Sequence, residues 1–135
     1  MVSTTQFTQQ GMSIGADLAR LGEVRRFAER MAANFGFDAA LQQQIKLAIN
    51  EAAANAVEHG SASPHDVVEL RAADEDGALT FYIVDSGRFV PPSAPRGHLP
   101  ERGRGMAFME LLMDEVHVRP SDRGTTVRLA KRLAG

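Results

Sequence analysis

Apolar side chains recur at Leu21, Val24, Phe27, Ala28, Met31 and Phe35, in steps of one, three and four. That spacing lays one stripe along a helix, predicted over about residues 17–34. Gly36 is its stop, and Asp38 is placed to cap a second helix. The second helix is predicted to run to about His59, with Leu41, Ile45, Ile49, Ala52 and Ala56 on one face and Gly60 as its end. The period then changes. "DVVELRAA" and "ALTFYIVD" read as strands around "DEDG", where Asp76-Gly77 is a hairpin signal. "MAFMELLMD" reads as a short helix whose Met106, Met109 and Met113 pack the core. "EVHVRP" and "TTVRLAKRL" form a second strand pair across "SDRG", and "TTQFTQQ" near the N-terminus alternates weakly enough for an edge strand.

The predicted order is β-α-α-β-β-loop-α-β-β. It implies an α+β fold: a two-layer α/β sandwich with helices on one face of a mixed, mostly antiparallel sheet. Residues 86–105 interrupt the pattern with four prolines, four glycines and four arginines. A loop that long in a small chain is usually a lid, a binding loop or disordered.

Composition narrows the function classes. The 135 residues predict a single domain over 1–135, and 44% hydrophobic with 24% charged residues is ordinary for a globular protein. A formal net charge of -2 argues against nucleic acid or an anionic membrane as the main partner. With no cysteine, disulfide frameworks and thiolate metal sites are excluded. The N-terminal residues have neither the basic nor the apolar region of a signal peptide, and no apolar run approaches the roughly 18 residues of a membrane span. A soluble, cytoplasmic protein is expected.

Four stretches carry candidate chemistry. In "INEAAANAVEHG", Glu51, Asn55 and His59 stand four apart. Such residues drift by only about 40° per step, so they form a shallow spiral bordering the apolar face. A carboxylate there can take a proton, and a carboxamide oxygen suits a hard cation such as Mg²⁺. On spacing alone, a solvated helix face is the more common arrangement. A transition-metal site on Glu51, His59 and His65 has neither the H-E-x-x-H spacing nor a cysteine. "IVDSG" ends a strand on Asp85, whose carboxylate can accept from an exocyclic amine, with Gly87 leaving room for a flat ring; an ordinary turn is the alternative. "ERGRGMAFM" sets Gly103 and Gly105 before a helix, where free N–H groups can meet an anion, and Arg102 and Arg104 add charge. It matches neither the P-loop nor the Rossmann pattern. "GTTVRL" is a turn glycine entering a threonine-rich strand.

Taken in order, E-x-x-x-N, D-x-G, a glycine-rich stretch with G-M-x-F, and G-T-x-V resemble the gyrase, histidine-kinase and chaperone ATPase superfamily, with its Bergerat ATP-binding fold. Within it, "LAINEAAANAVEHG" and "GRGMAFMELLMDEV" resemble the anti-sigma factor serine/threonine-protein kinases. The resemblance covers nearly the whole chain. It implies an ATP site in which Asn55 coordinates Mg²⁺ and Glu51 is the general base. Asp85 would accept from the adenine amino group, with Gly87 beside the ring and Thr125 near the base. Gly103 and Gly105 would lie at the triphosphate, and Arg104 and Met106 of the same run count among the nucleotide-binding residues. The implied partners are a sigma factor and an anti-anti-sigma factor carrying the acceptor serine, with Arg25 of the first helix in partner binding and a homodimer as the assembly. The leading expectation is a kinase that sequesters the sigma factor and phosphorylates its antagonist. A nucleotide-binding partner-switch module without useful kinase activity is the alternative. A histidine-kinase ATP domain is third, because no phosphoacceptor helix precedes it.

Overall fold

The computed structural model describes residues 7–59, 65–85, 99–122 and 124–133, with residues 99–105 described by backbone alone. A short strand β1 (Gln10–Gly15) leads through a 3-10 turn (Leu18–Arg20) into α1 (Leu21–Phe35) and α2 (Ala39–His59). The hairpin β2 (Val67–Glu75) and β3 (Ala78–Asp85) follows, then α3 (Leu99–Leu112) and a second hairpin, β4 (Glu115–Ser121) and β5 (Gly124–Arg132). The five strands form one sheet in the order β1-β2-β3-β5-β4. The fold is α+β, as the order of elements predicts.

Local chemistry accounts for most element boundaries. Asp17 caps the 3-10 turn, its Oδ1 accepting from the Ala19 N–H at 2.9 Å. Gly36 ends α1 at φ 114°, a left-handed conformation in which its N–H reaches the carbonyls of Ala32 and Ala33. Asp38 caps α2, accepting from the Leu41 N–H at 2.9 Å. The β2–β3 turn has Asp76 at φ 54° and Gly77 at φ 84°, as a two-residue hairpin requires. That turn sets the register, pairing Glu75 with Ala78 and so Arg71 with Tyr82.

The core lies between sheet and helices. Ile45, Ala48, Ile49, Ala52, Ala53 and Ala56 of α2 are buried, as are Val24, Phe27 and Met31 of α1. They meet Val68, Leu70, Phe81, Ile83 and Leu129 from the sheet, with Phe27 set edge-on to Phe81 at 6.3 Å between centroids. Met109 and Met113 are buried too, as their spacing predicts. The opposite sheet face carries a polar network. Arg128 donates to Glu115 at 2.8 Å and to Glu75 at 3.2 Å, while the Tyr82 hydroxyl donates to Glu75 at 2.5 Å. The hydrogen bond from Arg128 holds the Glu115 carboxyl below its usual range.

Two boundaries and the sense of the strand pairing differ from the sequence expectation. β1 starts only at Gln10, the last residue of "TTQFTQQ", and runs on to Gly15; residues 4–6 of that stretch lie outside the described residues. Met12 and Ile14 supply the stronger alternation, and Ile14 pairs with Val68 over the core. All the described strand pairings are antiparallel, so the sheet has no parallel member among the described residues. α3 begins at Leu99 rather than Met106. Pro100 stands in its first turn, where a missing N–H costs nothing. Residues 86–98 of the expected lid lie outside the described residues. No helix among the described residues is long and apolar enough to cross a membrane.

If α2 is the core's central member, Ile49→Ala should destabilise the fold by about 2–5 kcal/mol. Leu47→Ala, on the exposed side of the same helix, should stay within about 1 kcal/mol. Urea unfolding of the two variants side by side checks the assignment.

Candidate functional site

The sheet buries one carboxylate. β3 ends on Asp85, which lies opposite Thr125 near the start of β5. The Thr125 N–H donates to Asp85 Oδ1 at 3.3 Å. Asp85 is 5% exposed and Thr125 7%. Asp85 falls in register with Val68, on the face covered by the helices. The Thr125 hydroxyl oxygen is fully buried and has no hydrogen-bond partner among the described residues. A lone buried hydroxyl costs about 1–3 kcal/mol, so its place beside a buried acceptor is unusual for a purely structural pair. Carboxylate and hydroxyl together offer acceptors and one donor to a flat polar ring, which is the chemistry an adenine presents.

The second part of the site is on α2. Glu51 and Asn55 are half-buried and His59 is exposed, so the row runs from the core margin outward. α1 packs on the flank of α2 that carries Asn50, which accepts from Arg25 at 3.0 Å. At 100° per residue, Glu51, Asn55 and His59 lie about 100–180° round the helix from Asn50. They therefore sit on the flank away from α1. α3 is the other helix packed on α2, and its Met106 is partly buried against the core. Among the described residues no group of three histidines or acidic residues could hold a metal ion, so Glu51, His59 and His65 form no such cluster. Asn55 offers a neutral oxygen suited to Mg²⁺, a cation that keeps several of its waters.

The structure thus joins Asp85 with Thr125, while Glu51 and Asn55 share one flank of α2. Gly87 lies outside the described residues. Gly103, Arg104 and Gly105 fall within α3, not in a loop ahead of it. The reach of α3 back to Leu99 takes the Gly103 and Gly105 amides into helical hydrogen bonding, away from any anion. Each glycine in a helix interior costs up to about 1 kcal/mol relative to alanine, so this first half of α3 is intrinsically weak helix. Arg25 is exposed on α1. Sequence reasoning missed Asn50, its partner. Only the packing of α1 on α2 pairs them; a carboxamide one residue before Glu51 was the single available signal.

A family model described as a histidine kinase-like ATPase domain matches residues 14–131. The chain is 33% identical to the serine-protein kinase RsbW of Bacillus velezensis over 92% of this chain and 85% of that one. It is 33% identical to an anti-sigma F factor of Geobacillus kaustophilus, over 67% of this chain and 69% of that one. A crystal structure of RsbU and RsbW domains from Mycobacterium tuberculosis superposes with a TM-score of 0.72 at 26% identity, over 93% of this chain and 32% of that longer one.

If the Thr125 hydroxyl is reserved for a ligand, removing it should not harm the empty fold. Thr125→Val is expected to melt at or above the parent temperature without nucleotide, and to gain less on adding ATP. Thermal unfolding with and without ATP reads both. A clear loss of stability without nucleotide would mean that the hydroxyl already has a structural partner.

Proposed function

The chain belongs to the histidine kinase-like ATPase domain family, and on that premise we propose that it is an anti-sigma factor that binds a sigma factor and uses Mg-ATP to phosphorylate a serine on an anti-anti-sigma factor. The buried Asp85–Thr125 pair carries this reading, because it puts an amine-accepting carboxylate and a spare hydroxyl on a covered sheet face. The names of the relatives support the partner assignment. In this reading the protein works as a cytoplasmic homodimer.

Each residue then has a task. Asp85 orients the base, with Thr125 and Gly87 beside it. Asn55 would hold Mg²⁺, which supplies charge neutralisation at the phosphates when bound. Gly103 and Gly105 would reach the triphosphate only if the start of α3 unwinds and frees their amides; Arg104 and Met106 lie on the same segment. Glu51 receives the proton of the acceptor serine as its oxygen bonds to the γ-phosphorus and the bond to the β-phosphate oxygen breaks, leaving ADP. α1, through Arg25, docks the partners.

A second reading is a nucleotide-binding switch that holds partners without useful transfer. The helical state of Gly103 and Gly105 favours it, since it keeps the anion-binding amides occupied.

Glu51→Ala separates the two. It should still bind Mg·ATP and the sigma factor, yet lose single-turnover phosphotransfer by roughly two to four orders of magnitude. Near-normal transfer would return Glu51 to a solvated helix face. Adenine recognition has its own check: calorimetry should show ATP preferred over GTP, because the Asp85 carboxylate would face the guanine carbonyl unfavourably. Equal affinities would remove Asp85 from the base site.

A further inference from the structure

Four arginines, 20, 25, 26 and 30, lie exposed on α1 or the turn before it. Their settings differ. Arg20 donates to Glu23 at 2.5 Å, and the charge of Arg26 also acts on Glu23. Arg30 lies over the Phe27 ring, 5.8 Å from its centroid. For Arg25, the acid one turn along is Glu29. Glu29, however, is drawn across the helix seam, where Gln43 donates to it at 2.9 Å and Lys46 stands at 3.7 Å. Arg25 is instead held by a neutral group: its Nη1 donates to Asn50 Oδ1 at 3.0 Å. Its Nη2 lies over the Gly22 backbone, 3.6 Å from where a Cβ would stand. The guanidinium is thus located from two sides, by α2 and by its own helix.

We propose that Asn50 is a positioning residue for Arg25, fixing the guanidinium at the α1–α2 seam without cancelling its charge, so that a carboxylate of a protein partner meets a pre-oriented cation. This rests on the reading of α1 as the docking surface. An amide oxygen accepts a hydrogen bond but carries no net charge. One guanidinium N–H is spent on Asn50, and those remaining can still grip a carboxylate in a two-point contact. A carboxylate at position 50 would hold Arg25 at least as firmly, but would compete with the partner for it. The bland account is that Asn50 merely staples α1 to α2. The two accounts diverge at Asn50→Asp. A staple is preserved or strengthened by that change, whereas a charge-sparing support is spoiled.

The test measures affinity for the sigma factor of the same organism and thermal stability, for Asn50→Ala and Asn50→Asp, each with Arg25 intact and with Arg25→Ala. With Arg25 intact, Asn50→Ala should weaken binding about threefold to tenfold, the range set by the cost of immobilising one long side chain. Asn50→Asp should weaken it as well while keeping the melting temperature. Neither change should matter once Arg25 is alanine, and ATP affinity should be the same throughout. Parental affinity in Asn50→Asp would reduce Asn50 to a staple and overturn the proposal. So would an Asn50 effect that persists undiminished without Arg25. If Arg25→Ala itself leaves binding intact, the docking surface lies elsewhere and the proposal falls with that reading. Guanidinium ¹⁵N spectra of the partner-free protein tell these failures apart. A restrained Arg25 signal lost in Asn50→Ala supports the link whatever the partner does, and an unchanged signal refutes it.

Discussion

Ala48, Ala52, Ala53 and Ala56 extend no side chain beyond Cβ, so α2 lies close against β3 and β5 while Ile45 and Ile49 fill the space beside them. This close seating decides where everything else on α2 can be. One flank meets α1 through Asn50, Gln43 and Lys46. The other carries Glu51 and Asn55 at the margin of the core, half-buried rather than in open water. Larger residues in place of the alanines would lift the helix and carry both flanks with it. Overpacking a core costs about 1–3 kcal/mol, but here the greater consequence would be lost alignment of the side chains on both flanks.

The same compact layer makes the Asp85–Thr125 pair exceptional. Around it the covered face of the sheet carries Val68, Ile83 and Leu129. Burying an ionisable group and a spare hydroxyl in such surroundings opposes folding. The outer sheet face shows the contrast, since its polar atoms are knitted into the Glu75–Arg128–Glu115 network. Among the described residues, the covered face holds the one buried side-chain polar atom without a hydrogen-bond partner, the Thr125 hydroxyl oxygen. That asymmetry is what the proposed base site rests on.

Elements with a local cause were legible in the sequence. Gly36, Asp38 and Asp76-Gly77 act through the backbone of their immediate neighbours, and each stands where its chemistry places it. Helix stripes were legible for the same reason, since burial follows periodicity. The start of α3 was not, because glycine-rich composition and a proline in a first turn point in opposite directions. Nor was β1, where weak alternation in one stretch competed with a stronger one just beyond it. Within the site, Asp85 and Thr125 are each weak signals alone; the β3–β5 register joins them. Arg25 with Asn50, and Arg128 with Glu75, needed the tertiary arrangement, because no local rule links residues 25 or 53 apart.

The order of strands has a kinetic corollary. β2–β3 and β4–β5 are hairpins whose turns span a few residues, so their closure is entropically inexpensive. The β3–β5 ladder instead joins the two hairpins across the segment that contains α3, and brings together residues 40 apart at Asp85 and Thr125. Contacts of such separation form after the local ones. The buried carboxylate and hydroxyl therefore do not coexist in either hairpin by itself, and no half-folded chain can display them as a pair. A pocket floor built on that pair would be complete only once the β3–β5 ladder joins the two hairpins.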